Sequence, residues 1–206
     1  MKMLAPALNF APELLLKAQG IRVAFFDVDG VLTDGGLYFS EYPDSHALAS
    51  PATTELAGRN FKASGEIIKR FNTLDGHGLK LLQKAGITPA VITGRDSDVL
   101  RARLHALGIT QVHFGTEDKR PAAEITLKAL GLDWTAAAAM GDDWPDLPVM
   151  CRAAFSCAPA QAHVEVRAQA DHVTQAAGGH GAVREFCDLL LVASGRYAGL
   201  LQEYAR

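Results

Sequence analysis

Cysteine is scarce in this chain, and the scarcity narrows what the protein can be. Only Cys151, Cys157 and Cys187 occur in 206 residues. An odd count with no CxxC pair excludes a disulfide framework and a cysteine-rich zinc cluster, and fits buried thiols in a reducing compartment. Excess charge of either sign is lacking as well. Twenty Lys and Arg against 23 Asp and Glu leave −3 at pH 7, which gives no electrostatic footprint for nucleic acid or a membrane surface. No apolar run approaches the ~20 residues that a bilayer-spanning helix needs. The N-terminal "MKMLAPALNFAPELLLKAQG" is interrupted by Pro6, Asn9, Pro12 and Glu13, and no small-residue cleavage site follows Leu16. That pattern speaks against a signal peptide and for a short helix from Pro12 to Gly20. The expected location is the cytoplasm. No internal repeat is present.

What the chain has is a rhythm. Residues 21–26, 88–93, 111–114 and 136–140 are short apolar runs, with further patches at 154–157 and 172–173. Helix-like segments lie among them at 76–85, 97–107, 120–130, 146–152 and 182–194. Strands that alternate with helices of this length imply βαβ units, and continuous rather than alternating apolar runs imply strands buried on both faces. The expected fold is α/β, a doubly wound, Rossmann-like parallel sheet with helices on both faces, in a single domain over 1–206. One segment breaks the rhythm. Residues 37–40 and 66–71 read as the two strands of a β-hairpin flap over about 36–71, with a long insert over about 42–64 rich in Ser, Pro, Ala and Thr. A connection of that length is uncommon in a compact domain, and it reads as an extended, mobile hairpin tip.

In an open parallel sheet, ligands bind outside the carboxyl ends of the strands. The first run ends in "AFFDVDGVLT", which sets Asp27 and Asp29 two residues apart. In an extended chain the two would share a face, and like charges held close cost energy unless something offsets them. The second run ends in Thr93, Gly94 and Arg95, Lys119 opens the helix after the third, and Asp142, Asp143 and Asp146 follow the fourth. Taken singly these are a turn, an N-cap and a solvated lysine. Converging on one crevice, Asp27, Asp29 and Asp142 form a hard, oxygen-rich pocket suited to Mg²⁺, and the metal with Lys119 supplies the offsetting positive charge. Cation and ammonium together also fit a phosphate. A carboxylate can attack phosphorus, and a second carboxyl can protonate the leaving oxygen and later activate water.

"DVDGVLTD" at 27–34, "ITGR" at 92–95, Lys119 and "GDDWPD" at 141–146 resemble, in order and spacing, the four motifs of the haloacid dehalogenase-like phosphatases. The resemblance implies Asp27 as nucleophile, Asp29 as general acid/base, and Thr93 and Lys119 as holders of the phosphoryl group. It also implies Mg²⁺ on the Asp27 carboxylate, the Asp29 backbone carbonyl and Asp142, with Asp143 and Asp146 in support. "DGGLYFS", "FNTLDGHGLKLLQKAGI" and "AGGHGAVREFCDLLLVASG" further resemble the 3-deoxy-D-manno-octulosonate 8-phosphate phosphatase family, so that the likeness runs from Ile21 to Gly195. That family implies a flap instead of a large cap domain, a homotetramer in which one subunit covers a neighbour's site, a sugar acid phosphate substrate and a place in lipopolysaccharide biosynthesis. Its substrate contacts fall on Asp29, Asn72, Thr73, Leu74, Asp75, Gly76, Lys80, Gly94, Arg95, Arg103 and Lys119.

Physical reasoning supports part of that set. Arg95 ends a strand, and its planar fork suits a carboxylate or phosphate. Arg103 lies a little over two helical turns further on and faces roughly the same way, or it belongs to a solvated face beside Arg101. Lys80 has the same two readings. Asp75 reads equally as a cap of its own helix. His77 is not needed as a base. Arg184 either reaches a neighbour's pocket or pairs with a surface carboxylate. Three rival readings remain. A phosphatase of a nine-carbon, sialic-type sugar acid phosphate is disfavoured by the arginine of "ITGR". A receiver-like signalling domain is disfavoured by an Asp on the first strand with a carboxyl at plus two. An inert scaffold is disfavoured by the full set of chemical groups.

Overall fold

A computed structural model describes residues 4–37, 53–56, 59–62 and 68–206. Its main sheet has six parallel strands in the order β5-β4-β1-β6-β7-β8. They are β1 (Val23–Phe26), β4 (Thr88–Ile92), β5 (Gln111–His113), β6 (Ala137–Met140), β7 (Phe155–Ala158) and β8 (His172–Val173). Strand β1 lies between β4 and β6, with Phe26 opposite Val91 on one side and Met140 on the other. The chain therefore leaves β1 for one half of the sheet and returns to its other side for the second half. That reversal opens a crevice at the carboxyl ends of β1, β4 and β6.

The helices are α1 (Pro12–Ala18), α2 (Thr73–Lys84), α3 (Asp98–Ala106), α4 (Lys119–Leu130), α5 (Leu147–Met150), α6 (Val164–Gln169), α7 (Ala182–Ala193) and α8 (Tyr197–Tyr204). Alternation along the strands feeds two cores. Ala24, Phe26, Val91, Ala138 and Met140 face α2, α3 and α7, through Leu79, Leu82, Leu104, Leu189 and Leu190. Val23, Phe25, Ala90, Ile92, Ala137 and Ala139 face α4, α5 and α6, through Ala123, Leu127, Val149, Met150 and Val166. Phe26 meets Phe186 edge-on at 5.7 Å, and Phe186 stacks on Phe155 at 6.2 Å. Truncating such a buried ring to alanine costs about 3–5 kcal/mol.

The expected strands match to within two residues, because burial on both faces leaves a run of apolar side chains as its signature. Three features differ. Helix α2 starts at Thr73 rather than at 76, because the Asn72 side chain accepts the Leu74 N–H at 2.8 Å and caps it there. Helices α6 and α8 carry too weak a pattern to be read from sequence. The flap differs most. Of its expected strands, residues 38–40, 66 and 67 lie outside the described residues, and Leu37 and residues 68–71 are not in strand. The long insert, expected as an extended hairpin tip, contains an antiparallel pair, β2 (Thr53–Leu56) and β3 (Arg59–Lys62), with Thr53 opposite Lys62 and Leu56 opposite Arg59. Thr53, Thr54 and Phe61 are β-formers. Among the described residues no helix is long and apolar enough to cross a membrane.

Candidate active site

The site begins where β1 stops. The Asp27 N–H donates to the Met140 carbonyl at 3.1 Å, which is the last rung holding the strand. The chain then turns at Gly30, whose φ of +87° lies in the left-handed region that a side chain disfavours. Space is equally restrictive, because a Cβ on Gly30 would stand 2.0 Å from Asp142 Oδ2. The turn is closed by the Thr33 N–H and hydroxyl, both donating to the Val28 carbonyl. Just past β6, Gly141 has no room for a Cβ either, since it would stand 2.2 Å from the Asp146 Cβ. The two glycines let the catalytic loop and the acidic turn close on each other.

Lys119, the first residue of α4, is the hub. Its Nζ lies 2.6 Å from Asp27 Oδ1 and 2.7 Å from Asp146 Oδ1, and all three side chains are almost wholly buried. Asp146 does more than support. Its other oxygen accepts the backbone N–H of Asp142 at 3.0 Å and of Asp143 at 3.3 Å, which fixes the turn that presents Asp142. Asp27, Asp142 and Asp146 each offer an oxygen within 4.8 Å of the others. Three acids thus share one buried ammonium. Burial, then repulsion from Asp146, push Asp27 up to about 6 against the Lys119 attraction. Burial, then Asp27 and Asp146, push Asp142 up to about 7. Burial works against the Lys119 charge, but the two carboxylates outweigh it and hold its pKa above the ordinary lysine value. The donor set is all hard oxygen with an excess of negative charge, which fits a Mg²⁺-sized dication. The acids that cluster are Asp27, Asp142 and Asp146, whereas the side chain of Asp29 faces elsewhere.

Asp29 Oδ1 lies 2.5 Å from Lys69 Nζ, and Oδ2 lies 3.3 Å from Arg95 Nε. Lys69 is the residue that the sequence reading missed. It lies within the expected flap strand 66–71, with no motif to flag it. Thr93 is buried at the end of β4, where its hydroxyl accepts the Arg95 N–H at 3.2 Å. Gly94 and Arg95 are exposed beside it. Thr93, Arg95 and Lys119 therefore stand at the rim that Asp27 and Asp29 occupy.

The remaining expected contacts form a second group at the start of α2. Arg103 donates from Nη2 to the Asn72 carbonyl at 3.3 Å and lies over Phe71. Its Nη2 sits 2.3 Å from where a Gly76 Cβ would be, so Gly76 admits the guanidinium. The Arg103 Nε is buried and, among the described residues, without a hydrogen-bond partner. Thr73, Leu74 and Lys80 are exposed. Asp75 requires a correction. It is 1% exposed, and its oxygens accept the Gly181 N–H at 3.2 Å and the Arg184 N–H at 2.8 Å. The carboxylate caps α7, neither facing a substrate nor capping its own helix. Arg184 pairs with Asp188 one turn along α7, both oxygens at 2.9 Å from Nε, and His77 meets Tyr204 edge-on.

A model of the haloacid dehalogenase-like hydrolase family matches residues 115–186. The chain is 38% identical, over 90% of its length and 87% of the relative's, to the 3-deoxy-D-manno-octulosonate 8-phosphate phosphatase KdsC of Salmonella typhimurium. Among solved structures, the 3-deoxy-D-manno-octulosonate 8-phosphate phosphatase of Yersinia pestis superposes with a TM-score of 0.77 at 35% identity, covering 92% of this chain and 91% of that one. The Moraxella catarrhalis phosphatase of the same name, solved with a magnesium ion, a phosphate ion and a KDO molecule, gives 0.78 at 32% identity, covering 93% and 98%. With the acids, the lysine and the strand-end threonine in place, this chain belongs to the 3-deoxy-D-manno-octulosonate 8-phosphate phosphatase family of haloacid dehalogenase-like hydrolases.

Proposed function

We propose that this chain hydrolyses 3-deoxy-D-manno-octulosonate 8-phosphate to the free sugar acid and inorganic phosphate. The observation that carries the reading is the buried Lys119 shared by Asp27 and Asp146, with Asp142 alongside and Thr93 at the neighbouring strand end. An Asp27 oxygen attacks phosphorus and the P–O8 bond breaks, giving an aspartyl-phosphate. The departing alkoxide takes its proton from the Asp29 carboxyl. Asp29, now ionised, accepts a proton from the water that attacks the same phosphorus, which regenerates Asp27 and frees phosphate. Thr93 and Lys119 hold the phosphoryl oxygens through this exchange. Asp27, Asp142 and the Asp29 carbonyl would hold Mg²⁺, with Asp146 close behind, and the ion would neutralise charge on the transferring group.

Arg95, Arg103 and Lys80, with Asn72, Thr73, Leu74 and Gly76, form the wall for the sugar acid. Arg95 supplies a fork for the substrate carboxylate. The segment 36–71 acts as a flap, in a homotetramer where it reaches a neighbouring site, in the cytoplasm. Light scattering on a size-exclusion column checks the assembly. Phosphate release with Mg²⁺ from a panel of esters checks the activity. A strong preference for octulosonate 8-phosphate is expected. Preference for a nine-carbon sugar acid 9-phosphate would move the substrate, and equal rates on simple sugar phosphates would keep only the chemistry.

A further inference from the structure

Behind the catalytic loop, on the side away from Asp142, lies a second layer that the motifs do not include. Gln161, between β7 and α6, donates from Nε2 to the Gly30 carbonyl at 2.6 Å and accepts the Gly178 N–H on Oε1 at 2.8 Å. The partners dictate the amide's orientation, since a carbonyl must meet the NH₂ end and an N–H the oxygen. The backbone around Gln161 is tied on both sides. The Ala160 N–H donates to the Ala176 carbonyl at 3.2 Å, and the His163 N–H donates to the Asp142 carbonyl at 2.8 Å. One short segment therefore touches the acidic turn through its backbone and the catalytic loop through its side chain.

The glycines on the far side leave no slack. A Cβ on Gly178 would stand 1.8 Å from the Gly30 oxygen. The Gly179 N–H donates to the Val31 carbonyl at 3.0 Å, and its φ is +66°. Gly30 is thus pressed between the Asp142 carboxylate, against its Cα, and a Gln161–Gly178 clamp on its carbonyl. Rotation of the Gly30–Val31 peptide would be passed through the Gly30 dihedrals to the neighbouring Asp29–Gly30 peptide, and so to the Asp29 carbonyl and the spacing of Asp27 from Asp142.

We propose that Gln161 is a positioning residue for phosphoryl transfer, fixing the Gly30 peptide so that Asp27, the Asp29 carbonyl and Asp142 keep one geometry. This rests on the phosphatase reading above. Gln161 touches neither phosphate nor metal, and it acts through the loop.

The test compares wild type with Gln161→Met, which keeps the length but removes both hydrogen bonds, and with Gln161→Glu, which keeps the acceptor but sets a carboxylate against the Gly30 oxygen. Residues that orient metal-site groups typically change affinity or activity about 10–100-fold, and this is the fall in kcat expected for p-nitrophenyl phosphate in both variants. KM should stay within about threefold. Calorimetric Mg²⁺ binding, read without substrate, should weaken about tenfold, with melting temperatures within about 5 °C of wild type. Wild-type kcat and Mg²⁺ affinity in both variants would overturn the proposal. So would a lowered melting temperature with kcat per folded molecule and Mg²⁺ affinity unmoved, because that is packing alone. Octulosonate 8-phosphate is assayed beside the generic ester. Wild type that cleaves only the generic ester removes the substrate reading while the variant-to-wild-type ratio still decides Gln161.

Discussion

Asp27 and Asp29 lie two residues apart in one loop and keep opposite electrostatic company. Asp27 shares a single buried cation with Asp146, and Asp142 crowds the same space. Asp29 lies against two cations, Lys69 and Arg95, and its side chain is a quarter exposed. One side of the loop is short of positive charge and the other is rich in it. The contrast separates the jobs. The acid-rich side suits a dication, and the cation-rich side suits an anion. It also answers how two neighbouring carboxylates tolerate each other. Among the described residues, Asp27 meets Lys119 while Asp29 meets Lys69 and Arg95, so each is balanced by cations from different segments.

The contrast breaks hardest at Asp27. Asp27→Asn removes the carboxylate proposed to attack phosphorus, and loss of a nucleophile lowers turnover by on the order of 10⁶-fold. Phosphate release by the folded variant, with circular dichroism unchanged, is the check, and appreciable residual turnover would end the nucleophile assignment. Lys119→Met comes next. Removing one partner of a buried pair costs about 3–5 kcal/mol because the remaining charges are left uncompensated. The metal-free variant should therefore melt well below wild type at pH 8. The gap should narrow at pH 5, where Asp27 and Asp142 are protonated, and Mg²⁺ should recover part of it. A gap independent of both pH and Mg²⁺ would show that Lys119 does not balance this acid cluster.

How much of this was legible without coordinates follows the same division. Strands buried on both faces write continuous apolar runs, and strand ends deliver motif residues in order, so Asp27, Thr93, Lys119 and Asp142 could be found from the sequence. The sequence marks Asp146 only as support, because its bond to Lys119 spans 27 residues and depends on how α4 packs against α5. Lys69 and Gln161 act on the same loop from distant segments, and nothing in their neighbours' pattern marks them. Asp75 looked local to α2, yet α2 packs against α7 and the carboxylate spends itself there.

A finer probe of the acid-rich side is pH. Folded, metal-free protein holds protons on Asp27 up to about 6 and on Asp142 up to about 7, whereas an unfolded carboxyl releases them near 3.8. The folded state thus binds more protons across that window, and the stability these groups contribute is lost as pH rises from about 4 through 7. Mg²⁺ must displace the same protons, so its affinity should rise with pH by up to about tenfold per unit for each proton released, levelling off above pH 7. Calorimetry at pH 5.5, 6.5 and 7.5 in two buffers of different ionisation enthalpy measures both affinity and proton release. A flat profile would mean the acids are already ionised without metal.

The smallest effect is expected at Asp75, and it separates architecture from substrate binding. Burial raises its pKa, and the Arg184 and Gly181 N–H groups work against that by bonding the ionised form. Asp75→Ala should behave as loss of a helix cap, about 1–2 kcal/mol, which in a chain of this size lowers the melting temperature by about 2–8 °C. Asp75→Asn keeps one acceptor and should fall between the two. KM for the sugar acid phosphate should not move in either variant, because the carboxylate faces α7 and not the crevice. Should KM instead rise about tenfold at an unchanged melting temperature, the carboxylate turns outward when substrate binds. The start of α2 would then belong to the cation-rich side as a working surface, and α7 would need no cap from it.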